Sequence, residues 1–253
     1  MSLKTLAKSL ELLDCFTSDH PIWGVRDLAK KLGMHHSVVH RIVSTFEQHG
    51  FLIQNRDTQK YHLGLKLLEY GKVVTDQLNI QQYFQPILKE IANSTGESVY
   101  LNMLEGKEGV CVSIVLSSKD IQYLIPVGDR SPLYAGASQK VMMAYVSEDL
   151  QEEIIQEGLT AVTSRTITDS LRLRAQLAQI KEEGWCISVG EYTEDVVGIS
   201  VPMLDSHRRI LGSITIAGPR YRIDDDRCGS YLRILLDQVP LIRQSCNIIS
   251  HMW

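Results

Sequence analysis

Apolar residues recur every three or four positions in several parts of the chain, which is the period of a helix with one apolar stripe. The first stripe, which we expect to be buried, consists of Leu3, Leu6, Leu10 and Leu13. Two further helices are predicted over 25–32 and 37–49, with Gly33 at the turn between them. After Gly50, short runs at 51–53 and 61–63 predict a hairpin around a polar loop.

Beyond residue 63, segments with the helical period of three to four residues alternate with segments that have the two-residue period of a strand. A stripe formed by Leu67, Gly71, Val74 and Leu78 predicts a linker helix and is the expected contact between two copies of the chain. Further helices are predicted over 82–94, 137–145, 148–157 and 169–183 and from about residue 224, with Pro240 kinking or ending the last one. Strands are predicted over 98–104, 110–115, 121–127, 185–189, 199–204 and 210–217. The fold class expected is α+β with a central antiparallel sheet of five or six strands. The predicted domains are 1–62, a linker over 63–80, and 81–253.

Composition narrows the class of protein. The chain has 253 residues, of which 44% are hydrophobic and 22% charged, enough for two domains with separate cores. It contains no run of about 20 apolar residues that would cross a bilayer, and its first ten residues lack the apolar block of a signal peptide. We therefore expect a cytoplasmic protein without membrane association. Its five cysteines form no CxxC pair, which favours unpaired thiols over a disulfide framework.

The net charge of −4 conceals two parts of opposite sign. Residues 1–62 carry eight Lys or Arg against six Asp or Glu, a net charge of +2, and they also hold six of the eight histidines. The remaining residues carry a net charge of −6. A mildly basic first domain and an acidic second one indicate an anionic partner for the first domain.

The first domain carries the pattern of a helix-turn-helix. Ala29 is small where a second helix would cross, and Gly33 can adopt the positive φ of a sharp turn. The outer face of the second helix would then be free for the major groove of DNA. Its candidate contacts are His35, His36, Ser37, Val38, His40, Arg41 and Ser44. The hairpin that follows has a polar tip typical of a wing that touches phosphates, with Asn55, Arg56, Thr58 and Lys60. By itself the helical pair is equally consistent with a helical hairpin that has only a packing role. The hairpin that follows it favours the DNA-binding interpretation.

Three segments resemble the IclR family of bacterial transcriptional regulators. They are RDLAKKLGMHHSVVHRIVSTFEQHGFL with YHLGLKLLEYG, SPLYAGASQKVMMAY, and GEYTEDVVGISVPMLDSHRRILGSITIAGP. The resemblance covers nearly the whole chain. It implies a winged helix-turn-helix, a linker helix and a GAF-like effector domain that binds a small molecule.

The effector site implied by this resemblance can be placed residue by residue. The matching positions are Ser131, Gly136, Ala137, Ser138, Ser188, Gly198, Thr215 and Ala217. Backbone N–H groups at 136–138 would attract an anion such as a carboxylate. Gln139 and Asp195 depart from the family pattern, which favours a small residue and a glycine there. Gly198 and Ala217 are small or apolar, so the site could take a bulkier or less charged effector.

Enzymatic and metal-binding alternatives have weaker support. His36 and His40 have a zinc-compatible spacing but lack the HExxH glutamate, so no metal is expected. Ser138 and Lys140 form SxK instead of the SxxK of a Ser/Lys hydrolase, and the acidic run at 224–226 fits helix capping. The competing class is a metabolite-binding enzyme whose winged helix contacts protein.

The function predicted is sequence-specific regulation of transcription, with no enzymatic activity and no cofactor. The partners expected are double-stranded DNA with a near-palindromic operator, a small metabolite such as a carboxylate or sugar acid, and a second copy of the chain. Dimers that pair into a tetramer stay an alternative. A repressor is expected.

Overall fold

The helices and strands are taken from a computed structural model that describes residues 3–250. Residues 1–2 and 251–253, which are the outer ends of the two predicted domains, lie outside the described residues. The chain divides into two compact units, the first ending at Asp76 and the second beginning at Gln77. Each unit is described below by itself.

The first unit is a helix-turn-helix followed by a hairpin. Its elements are α1 (Lys4–Leu13), α2 (Val25–Leu32), α3 (His36–Gln48), β1 (Leu52–Gln54), β2 (Tyr61–Leu63) and α4 (Lys66–Gln77), which crosses the division. Gly33 ends α2 in the left-handed conformation, with φ 61°, as the sequence predicted. The Met34 N–H then donates to the Ala29 carbonyl at 2.9 Å, and this bond turns the chain sharply into α3.

Helix α1 departs from the predicted burial. Its buried residue is Leu12, whereas Leu3, Leu6 and Leu10 are 75%, 55% and 52% exposed. The prediction that this stripe is buried was therefore wrong, because periodicity identifies an apolar face but not what covers it. The core lies instead among α1, α2, α3 and the hairpin, and consists chiefly of Leu12, Phe16, Leu28, Val39, Val43, Leu52 and Tyr61.

The predicted linker stripe is only partly exposed: Gly71 and Val74 are exposed on α4, whereas its two outer members are not. Leu67 is half-buried, and Leu78 follows α4 and is buried in the core of the second unit. The large apolar side chains that α4 exposes are Val74, which belongs to the predicted stripe, and Leu68, Tyr70 and Val73, which do not.

The second unit is built on a six-stranded antiparallel sheet in the described part of the chain. Its strands are β3 (Ser98–Glu105), β4 (Glu108–Val115), β5 (Arg130–Pro132), β6 (Cys186–Val189), β7 (Val196–Leu204) and β8 (Ile210–Pro219). They lie in the order β5-β4-β3-β8-β7-β6. Its helices are α5 (Ile80–Tyr83), α6 (Gln85–Thr95), α7 (Ala137–Met143), α8 (Glu148–Glu157), α9 (Ser170–Glu183), α10 (Asp225–Asp237) and α11 (Val239–Ile249). The α+β class and the antiparallel sheet are confirmed.

One predicted strand is absent and another was missed. Residues 121–127 form no strand, although they alternate apolar and polar positions. Tyr100 Oη donates to the carbonyl oxygen of Tyr123, which gives this segment a side-chain partner in place of a ladder. The edge of the sheet is formed instead by β5, which pairs with β4 through Gly109 and Ser131.

The two faces of the sheet are chemically different. On one face α6, α10 and α11 pack on apolar side chains such as Ile199, Ile214 and Ile216. The opposite face, which α7 covers, carries small and polar side chains at the alternate positions, including Gly198, Ser200, Ser213, Thr215 and Ala217. This polar face provides the floor on which a site can form.

Pro240 has the predicted effect on the last helical segment. Helix α10 ends at Asp237, and Pro240 lies in the first turn of α11, where its missing N–H costs no helical hydrogen bond. No helix within residues 3–250 has both the length and the apolar character needed to cross a membrane.

Candidate functional site

Helix α3 presents a polar face beside the turn. With about 100° per residue, Ser37, His40, Arg41 and Ser44 share one side, while Val39, Ile42 and Val43 are buried on the other. His35, His36, Ser37, His40 and Arg41 are exposed, as the DNA-binding prediction requires. The helix begins one residue earlier than predicted, with His35 as its N-cap.

Two of the predicted DNA contacts lie at the margins of this face. Val38 borders a shallow depression with Lys4 and Lys8 of α1, so it is turned toward α1. Ser44 is half-buried and lies near Tyr61, the core tyrosine whose pKa is raised by burial. Thr45 and Gln48 are exposed and complete the face by the same helical spacing, although sequence reasoning did not select them.

The loop between β1 and β2 is held by its own side chains. Asn55 Oδ1 accepts hydrogen bonds from the N–H groups of Asp57 at 3.0 Å and Thr58 at 2.9 Å. Asn55 therefore shapes the loop, and its side chain is occupied. Arg56 and Lys60 are exposed with no ion pair among the residues described, which leaves both cations available.

A cavity in the second unit lies between α7 and the polar face of the sheet. It offers about 50 Å³ to the centres of water-sized molecules, and about 480 Å³ of empty space when the part open to solvent is included. All the residues predicted for the effector site line it: Ser131, Gly136, Ala137, Ser138, Ser188, Gly198, Thr215 and Ala217. Four separate stretches of the sequence thus meet in one place.

Small residues keep this cavity open. A Cβ atom at Gly198 would lie 3.3 Å from the Ala137 Cβ and 3.7 Å from Ser188 Oγ. Gly136 has φ 87°, and a Cβ there would lie 3.1 Å from the Cβ of Tyr192. Larger side chains at either position would therefore reduce the space between α7 and the sheet.

Three tyrosines form the aromatic part of the lining. The rings of Tyr100 and Tyr123 pack edge to face with centroids 5.7 Å apart, and Tyr123 Oη hydrogen-bonds with Thr193 Oγ1 at 3.0 Å. Burial raises the pKa of Tyr123 to about 12, and burial also raises the pKa of Tyr100 and of Tyr192. All three hydroxyls therefore stay protonated at neutral pH.

A buried ion pair lies beside the cavity. Lys140, on α7, is fully buried, and its Nζ lies 2.6 Å from Glu191 Oε1 and 2.7 Å from Gln176 Oε1 of α9. Glu191 lines the cavity and is 8% exposed. Since the Lys140 ammonium is held by these two groups, it is not placed to activate Ser138 as the base of a hydrolase.

Sequence reasoning missed part of the lining. The additional residues are Tyr100, Asn102, Tyr123, Ile125, Gln139, Glu191, Tyr192, Thr193 and Val196. The pairing of β3 with β8 in the structure places Tyr100 and Asn102 on the face that carries Thr215. Glu191 lies within the GEYTED segment, so the family resemblance of that segment was the signal that could have found it.

The two departures from the family pattern have structural explanations. Gln139 Nε2 donates to Ser131 Oγ, and the Gln139 side chain packs over Gly109, where a Cβ would meet Gln139 Oε1 at 2.0 Å. Asp195 has φ 56°, a conformation that favours glycine. No group of three or more His, Cys, Asp or Glu side chains suited to a metal is present within residues 3–250.

Comparison with known protein families identifies two matches. Residues 5–56 match the IclR helix-turn-helix domain, and residues 72–243 match the C-terminal domain of bacterial IclR transcriptional regulators. The HTH-type transcriptional regulator KipR of Bacillus subtilis (strain 168) is 33% identical over 226 residues, covering 88% of this chain and 89% of KipR. The transcriptional repressor IclR of Escherichia coli (strain K12) is 25% identical, covering 89% of this chain and 83% of its own.

Solved structures share the fold. An IclR transcriptional regulator from Silicibacter sp. TM1040 has a TM-score of 0.85 at 25% identity, covering 96% of each chain. An IclR homolog from Microbacterium hydrocarbonoxydans, solved as a complex with 4-hydroxybenzoate, has a TM-score of 0.83 at 23% identity, covering 96% of this chain and 99% of its own.

Proposed function

The chain belongs to the IclR family of bacterial transcriptional regulators, with a helix-turn-helix domain and an effector domain, and we propose that it is a repressor released from its operator by a small molecule. The relatives are named as regulators and repressors of transcription, and the family is not enzymatic. The observation that carries the proposal is the convergence of all eight predicted effector residues on one cavity.

DNA contact is assigned to α3 and the β1–β2 loop. Ser37, His40 and Arg41 would read base edges in the major groove, and Arg56 and Lys60 would contact phosphates beside it. Every one of these side chains is exposed, whereas the apolar side of α3 is buried in the core. This division supports a surface kept free for a nucleic acid.

A dimer is the assembly that we propose for operator binding. Helices α1 and α4 each expose an apolar row, and Leu6, Leu10, Leu68 and Val73 are all more than half exposed. Rows of this kind mark surfaces that a partner covers. A twofold pair would present two α3 helices to major grooves about 34 Å apart, so the operator should be nearly palindromic. Pairing of dimers into a tetramer is compatible with this arrangement.

The effector that we propose is a small polar metabolite in the cavity between α7 and the sheet, of the carboxylate or sugar-acid type. A protein of the same fold has been solved with 4-hydroxybenzoate bound, which supports a small organic molecule as the ligand class. The effector would release the operator by binding more tightly to the DNA-free state, and by linkage the DNA must then weaken effector binding by the same factor.

The Arg41→Ala variant tests the DNA-binding half of the proposal. Loss of one base contact from each domain should weaken operator binding at least tenfold, since a single contact contributes about 1–3 kcal/mol. The operator would be a fragment selected from genomic DNA by the purified protein, and the affinity would be measured by gel shift. Arg233→Ala, which removes an exposed arginine of the second unit, is the matched control. Equal affinity of both variants would remove Arg41 from the interface.

A further inference from the structure

Residues that line the cavity include a buried acceptor atom with no hydrogen-bond partner among the residues described. Four buried side-chain oxygen atoms within residues 3–250 lack a hydrogen-bond partner, and two of them, Gln139 Oε1 and Glu191 Oε2, belong to residues lining this cavity. Gln139 Oε1 is turned toward Gly109, on which its side chain packs. Glu191 Oε2 is therefore the stronger indication of a missing partner, because buried polar atoms in proteins are almost always paired.

The geometry of the ion pair determines what the missing partner must be. Lys140 Nζ bonds to Oε1 of the Glu191 carboxylate at 2.6 Å, so Oε2 keeps its lone pairs free. A carboxylate oxygen accepts hydrogen bonds and cannot donate them. The group that completes Glu191 must therefore be a donor.

Charge restricts the kind of donor. The lining contains no lysine, arginine or histidine among the residues that the structure describes, and Glu191 is its single acidic residue. An ammonium group placed at Oε2 would also face the ammonium of Lys140, which is already bonded to the same carboxylate. A second carboxylate would face the charge of Glu191 itself. A neutral hydroxyl avoids both repulsions.

The rest of the lining suits the same chemistry. Asn102 and Ser188 are 5% and 7% exposed, line the cavity, and make no side-chain hydrogen bond within the described chain, so both can serve a polar ligand. The tyrosine rings at 100 and 123 supply an apolar surface beside them.

We infer that the ligand of this cavity carries hydroxyl groups, and that one of them donates a hydrogen bond to Glu191 Oε2. Glu191 is then a specificity residue, and Lys140 positions its carboxylate. This inference rests on the proposed effector function. It changes the group that the ligand must carry from a carboxylate to a hydroxyl, whether or not a carboxylate is also present.

The experiment compares probes that differ in hydroxyl donors. D-Gluconate and hexanoate share a six-carbon acid chain, D-glucitol has hydroxyls without a carboxylate, and 4-hydroxybenzoate and 4-methoxybenzoate differ by one donor. The shift of the thermal unfolding midpoint of the full chain gives the affinity for each probe. We expect hydroxyl-bearing probes to raise the midpoint and their donor-free counterparts to have little effect.

Variants then assign the donor's partner. Glu191→Gln should weaken the hydroxyl-bearing probes at least tenfold, because it replaces a charged acceptor. Since Glu191→Gln leaves the Lys140 ammonium buried without its partner, the double variant K140M/E191M, which replaces the pair by apolar side chains, is tested beside it. Gln176→Leu is the control, because Gln176 touches the same lysine from α9 but does not line the cavity. It should retain the wild-type response.

The outcomes separate this inference from the proposed function. Equal binding of hexanoate and gluconate, or an unchanged response in both Glu191 variants, would overturn the role of Glu191, and so would a panel in which no hydroxyl-bearing probe binds. A donor-free compound that nevertheless releases the operator would leave the regulator function intact and refute only the hydroxyl requirement. A protein that fails to bind operator DNA would refute the proposed function itself.

Discussion

The salt dependence of operator binding gives the sharpest test of the proposed DNA surface. Arg41, Arg56 and Lys60 are the three exposed cations predicted to face DNA in each domain, so a dimer would place six on the operator. Each of these cations displaces about one counterion from the duplex, Arg41 from the groove and the other two from phosphates. Each therefore contributes about −0.9 to the slope of log K against log salt, which gives a slope of about −5. Affinity should then fall about a thousandfold between 50 and 200 mM salt.

The double variant R56A/K60A removes four of the six cations in a dimer. Its slope should fall to about −2, and the loss of affinity over the same salt range should shrink to about tenfold. Fluorescence anisotropy with a labelled operator across a series of KCl concentrations measures both quantities. Because Asn55 holds the loop through its own side chain, the two substitutions should not alter the backbone of the loop.

The matched control is K89A/R233A, which removes two exposed cations of the second unit and makes the same change in net charge. Its slope should equal that of the wild-type chain. If R56A/K60A keeps the wild-type slope, or if the control lowers the slope as much, the β1–β2 loop does not contact phosphates and the wing interpretation is refuted.

Two further predictions concern the second unit. Ser138→Trp should abolish the effector response while operator binding persists, because Ser138 lines the cavity. The control is Ser118→Trp, a substitution at an exposed position. A normal effector response in S138W would place the effector site elsewhere. Glu97→Gln should lower the free energy of unfolding at pH 7 by about 3–5 kcal/mol, since Glu97 is fully buried and paired with Arg222 and Lys119. Burial opposes ionisation of Glu97, but the hydrogen bonds from Arg222 and Lys119 outweigh it and lower the pKa of this carboxyl. The stability that the ionised Glu97 adds to the folded protein is therefore fully present above the unfolded pKa of about 4.3. It is lost as the pH falls through the lower pKa of the folded state. Urea titrations should therefore show the difference between wild type and E97Q narrowing below about pH 4, and a constant difference would contradict the ion-pair explanation.

Local rules predicted the parts of the molecule that depend on local geometry. Gly33 was expected to adopt a positive φ because a sharp turn between helices requires it, and it does. The segment 121–127 shows where such rules fail. Its alternation places Tyr123 and Ile125 against the buried side chains of Tyr100, Cys111 and Ala217, which an extended chain achieves without pairing as a strand. Period two indicates extended backbone, but it does not identify the hydrogen-bond partner.

The missed residues of the cavity have a similar cause. Both faces of β3 are buried, so the sequence around Tyr100 and Asn102 does not reveal which face meets α7. Glu191 was overlooked because its significance depends on Lys140, 51 positions earlier in the chain. Only the three-dimensional fold shows that one oxygen of the Glu191 carboxylate accepts a hydrogen bond from Lys140 and that the other has no partner among the residues described.

The energetics of one hydrogen bond suffice for the regulation that we propose. A hydrogen bond to a charged group contributes about 1.5–3 kcal/mol, which corresponds to roughly 10- to 150-fold in affinity. If the hydroxyl bond to Glu191 forms fully only in the state that releases DNA, that difference alone equals the coupling of about 1–3 kcal/mol seen in many allosteric proteins. The buried pair with Lys140 suits this role, because it fixes the carboxylate before the ligand arrives and so reduces the entropy lost on binding.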